Sequence, residues 1–274
     1  MKKFLLPSIV TISIATSLVS AADAPKPLKV LLFTGGCCHD YTKQKDILKE
    51  GIEKRANIIV DQVHTADEGT KFHFSEYEKP DWAKGYDVVI HDECTANVEE
   101  APFVEGILNA HKNGVPGVNL HCAMHSYRIG KPSEPVTDMA APHALWFNYL
   151  GLQSSGHGAQ KPISIAFSKI DHPITKGMAN WTTINEELYN NVKVWDDTVV
   201  LARGKQDEGV QGDGNVIIWT HEYGPKKTRV FSTTLGHNNE TVSDDRYLEL
   251  VTRGVLWAAG KLGADGKALP GYGK

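Results

Sequence analysis

Basic runs are missing from this sequence. Lysine and arginine occur singly or in pairs, and 29 of them against 33 acidic residues leave a formal net charge of −4. A chain without a basic stripe lacks the electrostatic footprint of a nucleic-acid binder, so that partner class is set aside. Long apolar runs are missing beyond residue 19, so nothing later in the chain could span a bilayer. Cysteine is scarce: Cys37, Cys38, Cys94 and Cys122 are the whole complement. Their spacing gives neither a small disulfide framework nor a C-x-x-C zinc half-site. A Cys94–Cys122 bridge, a Cys38–Cys122 bridge and a set of inert buried thiols all remain open. No H-E-x-x-H motif supports a zinc protease. No internal repeat is found, and no domain linker after Pro27.

What is present begins with a leader. Met1-Lys2-Lys3 is a basic start, residues 4–19 are mostly apolar, and Val19-Ser20-Ala21 or Ala22-Asp23-Ala24 offers small residues for cleavage. This pattern reads as a secretory signal peptide over residues 1–21, in preference to an uncleaved membrane anchor, for which Pro7 and the Ser and Thr residues make a weak spanning helix; cleavage places the mature chain in the periplasm or outside the cell with no membrane segment left. After it, short apolar runs alternate with one-faced helical stretches. Strands are expected over 28–33, 57–63 and 86–90, with helices over 42–55 and 98–112. That alternation predicts an α/β doubly wound, mostly parallel sheet. Further strands are expected over 162–167, 198–202, 215–220 and 228–235. A last helix, capped by Ser243 or Asp244, carries the stripe Leu248, Val251, Val255, Ala258 and Leu262. One domain over residues 28–262 and a flexible, glycine-rich tail over 263–274 complete the reading.

The pivot of the chain is residues 114–126. Val118 and Leu120 read as a buried strand, and the chain then turns sharply at His121 into a helix. A nucleophile elbow needs small residues two before and two after its centre. Ala123 fits and Asn119 fits less well. The elbow residue is His121, neither serine nor cysteine.

Twelve histidines are present, and His39, His91, His121, His157, His221 and His237 fall at expected strand ends or in glycine loops. Ligand sites of such sheets lie outside the carboxyl ends of the strands. Asp40, Glu93, Glu187 and Glu222 lie near these histidines. Two chemistries fit: a divalent-metal site with ligands from separate loops, and metal-free acid–base catalysis, which is preferred. No cofactor is assigned. Trp146, Tyr189 and Trp219 offer faces for a sugar, although such rings are more often core.

Taken in order, these pieces resemble the ThuA-like family, named for trehalose utilization, whose fold is similar to class I glutamine amidotransferases. The matching pieces are Gly36-Cys37-Cys38-His39-Asp40, Leu120-His121-Cys122-Ala123, Ser155-Gly156-His157, Asp171-His172-Pro173-Ile174-Thr175 and Glu187-Leu188-Tyr189-Asn190. The strand end Trp219-Thr220-His221-Glu222-Tyr223-Gly224, Leu235-Gly236-His237-Asn238 and Arg253-Gly254-Val255-Leu256-Trp257 follow. The resemblance implies a flavodoxin-like sheet and a role in sugar catabolism, on 3-keto-sugars made by partner dehydrogenases. Glutaminase relatives carry cysteine at the elbow; His121 there, with Cys122 one residue late, argues against thioester amidotransfer.

The expected activity is therefore that of an exported enzyme on a sugar or keto-sugar. His39, His121, His157 and His237 would line the site and Glu187 would serve as acid–base partner. Asp40, Glu93, Trp219 and His221 would contact the carbohydrate. The alternative is a sugar-binding domain without turnover, in which the same groups only hydrogen-bond hydroxyls.

Overall fold

The computed structural model describes residues 1, 25–206 and 214–274. Apart from Met1, the expected leader lies outside the described residues, as do residues 207–213 of the glycine-rich loop.

Apolar runs and one-faced helices alternate as expected through the first half. β1 (Leu28–Gly36) leads through α1 (Tyr41–Arg55) to β2 (Ile58–His64). β3 (Val88–Cys94) leads through α2 (Ala101–Lys112) to β4 (Gly117–Leu120). A short helix α3 (Leu145–Leu150) precedes β5 (Leu152–His157) and β6 (Lys161–Phe167). β7 (Trp181–Glu186), β8 (Tyr189–Val194), β9 (Val199–Lys205), β10 (Asn215–Tyr223) and β11 (Thr228–Thr233) follow. α4 (Asn239–Val242) and α5 (Asp245–Ala258) close the fold.

Nine strands form one sheet in the order β2-β1-β3-β4-β11-β10-β9-β6-β7, and β5 pairs separately with β8. From β2 to β11 the pairing is parallel. This is the flavodoxin-like order 2-1-3-4-5, with β11 as fifth strand. From β11 to β7 every pairing is antiparallel.

Burial on both faces explains the unbroken apolar runs of the central strands. Successive side chains of a strand point to opposite faces. Val30 and Leu32 therefore pack with Leu48 and Ile52 of α1 and with Leu248, Val251 and Val255 of α5. Leu31 and Phe33 pack on the other side with Val104, Ile107 and Leu108 of α2 and with Trp146 and Tyr149 of α3. Where α1 meets α5, Gly51 permits the close approach, since a Cβ there would stand 2.5 Å from Leu248 Cδ2.

Several boundaries differ from the sequence reading. α2 starts at Ala101, where Pro102 fits the first turn because its missing N–H has no intrahelical partner to lose. Asp40, not Thr42, caps α1 by accepting the Lys43 N–H at 3.3 Å. β3 runs on through His91, Asp92 and Glu93 to Cys94. The C-terminal residues fold back on the sheet entry: Tyr272 O accepts the Asn57 N–H at 2.8 Å, and Leu269 donates to Lys261 O at 2.8 Å. Among the described residues no helix is long and apolar enough to cross a membrane.

Candidate functional site

The parallel strands deliver their carboxyl ends to one edge, and the site is built there. β1 ends in Gly35 and Gly36, both at positive φ. The backbone then passes Cys37 and Cys38, which are bonded to each other, and presents His39. β4 ends at Leu120, and His121 takes φ 42° before a tight turn over His121–His125. A non-glycine residue with positive φ stores strain that surrounding contacts must hold, and such residues cluster at functional sites. A Cys94–Cys122 disulfide ties the end of β3 to this turn.

β11 ends near Gly236-His237-Asn238, and this loop is clamped. The buried carboxylate of Glu186 accepts the N–H groups of His237 at 3.1 Å and Asn238 at 3.2 Å. Gln44 of α1 donates to His237 O at 3.0 Å. Glu187, next in the chain, sits where the main strand β7 gives way to β8 of the small sheet.

Glu187 is the hub. Its Oε2 lies 3.4 Å from His121 Nε2 and 3.3 Å from His157 Nε2, and its Oε1 lies 3.2 Å from His237 Nδ1. His121 Nδ1 donates to Thr234 O at 2.6 Å, which turns Nε2 into the cluster. Tyr189 Oη stands 3.3 Å from that Nε2, and its ring stacks on His125 at 4.0 Å. The His39 ring meets His121 and His237 edge-on, with centroids 4.6 and 4.7 Å apart. His39 and His237 line an open cleft of about 630 Å³ together with Cys38, Asp40, His64 and Asn239. His121 and Glu187 are buried and are not among the residues that line it.

Burial, then the neighbouring His121 and His237, push His39 down to about 2, so it is neutral. Burial alone would raise Glu187, but the His121 and His237 imidazoles beside it more than reverse this and hold it well below the carboxylate range. His237 is raised by its bond to Glu187. The result is an ionised carboxylate ringed by imidazoles and buried behind His39 and His237 of a polar cleft. That arrangement can take a proton from a polar substrate and polarise an oxygen beside it.

The structure thus brings together His39, His121, His157, Glu187 and His237, with Asp40 on the cleft wall. Asp40 is also engaged as the α1 cap and accepts from Asn239 Nδ2 at 2.8 Å. Three residues expected to contact carbohydrate are elsewhere. Glu93 is fully buried in a core network, accepting from Tyr127 at 2.8 Å and Tyr77 at 3.1 Å and facing His91 Nδ1 at 2.9 Å. Its strand continues past Ile90, so the residue points into the α2 side of the core. Trp219 has no exposed surface, and its indole N–H donates to Leu150 O at 2.7 Å. His221 lies on β10, which is antiparallel to β11, so its strand end falls on the opposite edge of the sheet. There its Nε2 pairs with Asn148 O at 3.1 Å.

Sequence reasoning missed Gln160, whose Nε2 stands 2.7 Å from His237 Nε2 and 3.4 Å from Glu187 Oε1. A single glutamine between strands gives no signal. It also missed Glu186, although a carboxylate directly before Glu187 and after an alternating strand was a usable clue.

Fold and site together define a flavodoxin-like α/β protein whose elbow bears histidine and whose strand ends carry a His/Glu cluster. Within that class the chain belongs to the ThuA family, described as trehalose utilisation, whose model matches residues 29–258. Solved structures agree on the fold. A ThuA-like protein from Parabacteroides merdae is 20% identical, with 86% of this chain and 92% of that one aligned at a TM-score of 0.62. A ThuA-like protein from Bacteroides uniformis is 18% identical, with 88% and 96% aligned at 0.57. A β-galactosidase from Bacillus circulans sp. alkalophilus aligns 90% of this chain to 32% of its own, at 15% identity and 0.52. At these identities the likeness speaks for the fold alone. Among curated proteins none matches this sequence.

Proposed function

We propose that the chain is an exported enzyme of carbohydrate catabolism that acts on a sugar or 3-keto-sugar by His/Glu acid–base chemistry. The observation that carries this reading is Glu187, an ionised carboxylate within 3.4 Å of His121, His157 and His237. A ketone beside an acidic C–H needs a base for the proton and a polariser for the carbonyl oxygen. Glu187 takes the proton, and the surrounding imidazoles stabilise the charge that collects on the oxygen. The cleft is polar and wide enough for a sugar ring. Thioester chemistry finds no nucleophile here, because the elbow side chain is an imidazole and Cys122 is in a disulfide. The leader pattern and the disulfides support export to an oxidising compartment.

The test is solvent-deuterium incorporation. A 3-keto-glucoside is incubated with the protein in D2O and followed by NMR. Deuterium should enter the carbon next to the carbonyl with the native protein and not with Glu187→Gln. Binding without exchange, read by calorimetry, would assign the cleft to carbohydrate binding without turnover. Absence of both would sink the sugar reading.

A further inference from the structure

The ring nitrogens of the cluster converge, and the hydrogen bonds around them do not use them all. His121 Nδ1 spends its hydrogen on Thr234 O at 2.6 Å, and its Nε2 faces the Glu187 carboxylate at 3.4 Å. A lone pair facing a carboxylate oxygen is repulsive unless a proton or a cation stands between them. His39 Nδ1 is buried with no hydrogen-bond partner, and the buried His237 Nδ1 has only Glu187 Oε1, 3.2 Å away, before it. The amide end of Gln160 can be turned over without changing its shape, which gives up its long 3.4 Å contact with Glu187 Oε1 but lets its oxygen accept His237 Nε2–H at 2.7 Å and frees Nδ1. One nitrogen from each of His39, His121 and His237 then lies within 4.8 Å of the other two.

We infer that His39, His121 and His237 bind one divalent transition-metal ion of the zinc class. Three neutral imidazoles from separate loops, with room left towards a cleft, are the donor set of an open catalytic site. Tetrahedral ligation with Zn–N near 2.0–2.1 Å needs nitrogens roughly 3.3 Å apart, which small rotations of the rings supply. The Thr234 carbonyl is the outer partner that fixes His121 in the ligating tautomer. Glu187 stays beside the ion as base, and the histidines polarise the substrate oxygen through the ion. This deepens the acid–base reading above, and rests on it only for the sugar, not for the metal.

The experiment uses unreduced, EDTA-washed protein without sugar. Zinc is titrated by calorimetry and cobalt(II) by visible spectroscopy. One equivalent should bind, with ligand-field bands of imidazole coordination and no thiolate charge-transfer band. His39→Ala and His237→Gln should each weaken binding by roughly 100-fold or more, while His221→Ala, on the other sheet edge, should bind as the native chain does. Circular dichroism separates lost ligation from lost folding, and Cys37→Ser/Cys38→Ser should leave uptake unchanged. No uptake by the native protein overturns the site. So does uptake indifferent to His39 and His237, or a thiolate band, which would move the ion to the cysteines. Metal uptake without deuterium exchange keeps the site and removes the sugar reaction; exchange without uptake does the reverse.

Discussion

His121 and Glu187 meet at 3.4 Å across the junction of two sheets, one from the end of β4 and the other from the link between β7 and β8. Neither is held by its own strand alone. Thr234 orients the imidazole, and His157 and His237 bracket the carboxylate.

Replacing Glu187 by glutamine keeps the side chain's shape and removes the charge. A positioned base contributes about 10²–10⁴-fold to a proton transfer. We expect Glu187→Gln to lower the rate of deuterium incorporation by that order while leaving the circular dichroism spectrum unchanged. A variant as fast as the native protein would remove Glu187 from the reaction.

The backbone at His121 makes a separate prediction. Its φ of 42° suits glycine and penalises a β-branched side chain. His121→Gly and His121→Val both lose the imidazole, yet the valine variant should be less stable than the glycine variant by about 1–2 kcal/mol. Urea unfolding of the pair measures this. Equal stabilities would mean that the elbow is not strained.

The Cys94–Cys122 bridge closes a loop across a sequence separation of 28. Chain-entropy arguments give about 3–4 kcal/mol for a loop of that size. The double change Cys94→Ala/Cys122→Ala should cost a stability of this order in urea titrations, and non-reducing peptide mapping of the native chain should recover Cys37 with Cys38 and Cys94 with Cys122.

His111 is fully buried and held at about 3, first by desolvation and then by His91 beside it. The unfolded chain protonates this group near the ordinary value of about 6.5. Between about pH 6.5 and 3 the unfolded state therefore binds the extra proton, and stability falls as the pH drops through that window. Above it the group contributes no slope. His39 and His125 are lowered by burial and act in the same sense. Replacing His111 with glutamine should reduce the acid-side slope of stability against pH by about 1.4 kcal/mol per unit, read from urea titrations across the window.

The parallel half of the fold was legible because doubly buried strands leave unbroken apolar runs, as in Val30–Phe33 of β1. The site was legible where a histidine followed such a run directly, as at His121, or sat in a glycine-rich turn, as at His157 and His237. Glu93 was misplaced because a polar stretch was read as the end of β3. In fact His91 Nδ1 and Glu93 Oε1 pair inside the core. His221 was misplaced because its strand end was assigned to the same edge of the sheet as those of the parallel strands. The signal was there: only Gly224–Lys227 separate β10 from β11, too few residues for a parallel crossover. Trp219 has the composition of a sugar platform, and no local pattern distinguishes that from a core indole. Gln160 acts only through tertiary approach, which local sequence does not encode.

β11 stands between β4 and β10 in the sheet, although it is made after all the other strands. A chain growing from its N-terminus owns both wings of the sheet before it owns the strand that joins them. His237 follows that strand, so the cluster closes only when synthesis is nearly complete. An incomplete polypeptide carries His39, His121 and Glu187 without His237, so the cluster is whole only once β11 and the loop after it have been made. Appearance of metal affinity or turnover in a refolding experiment should then track the docking of β11 rather than the earlier collapse of the N-terminal βαβ units.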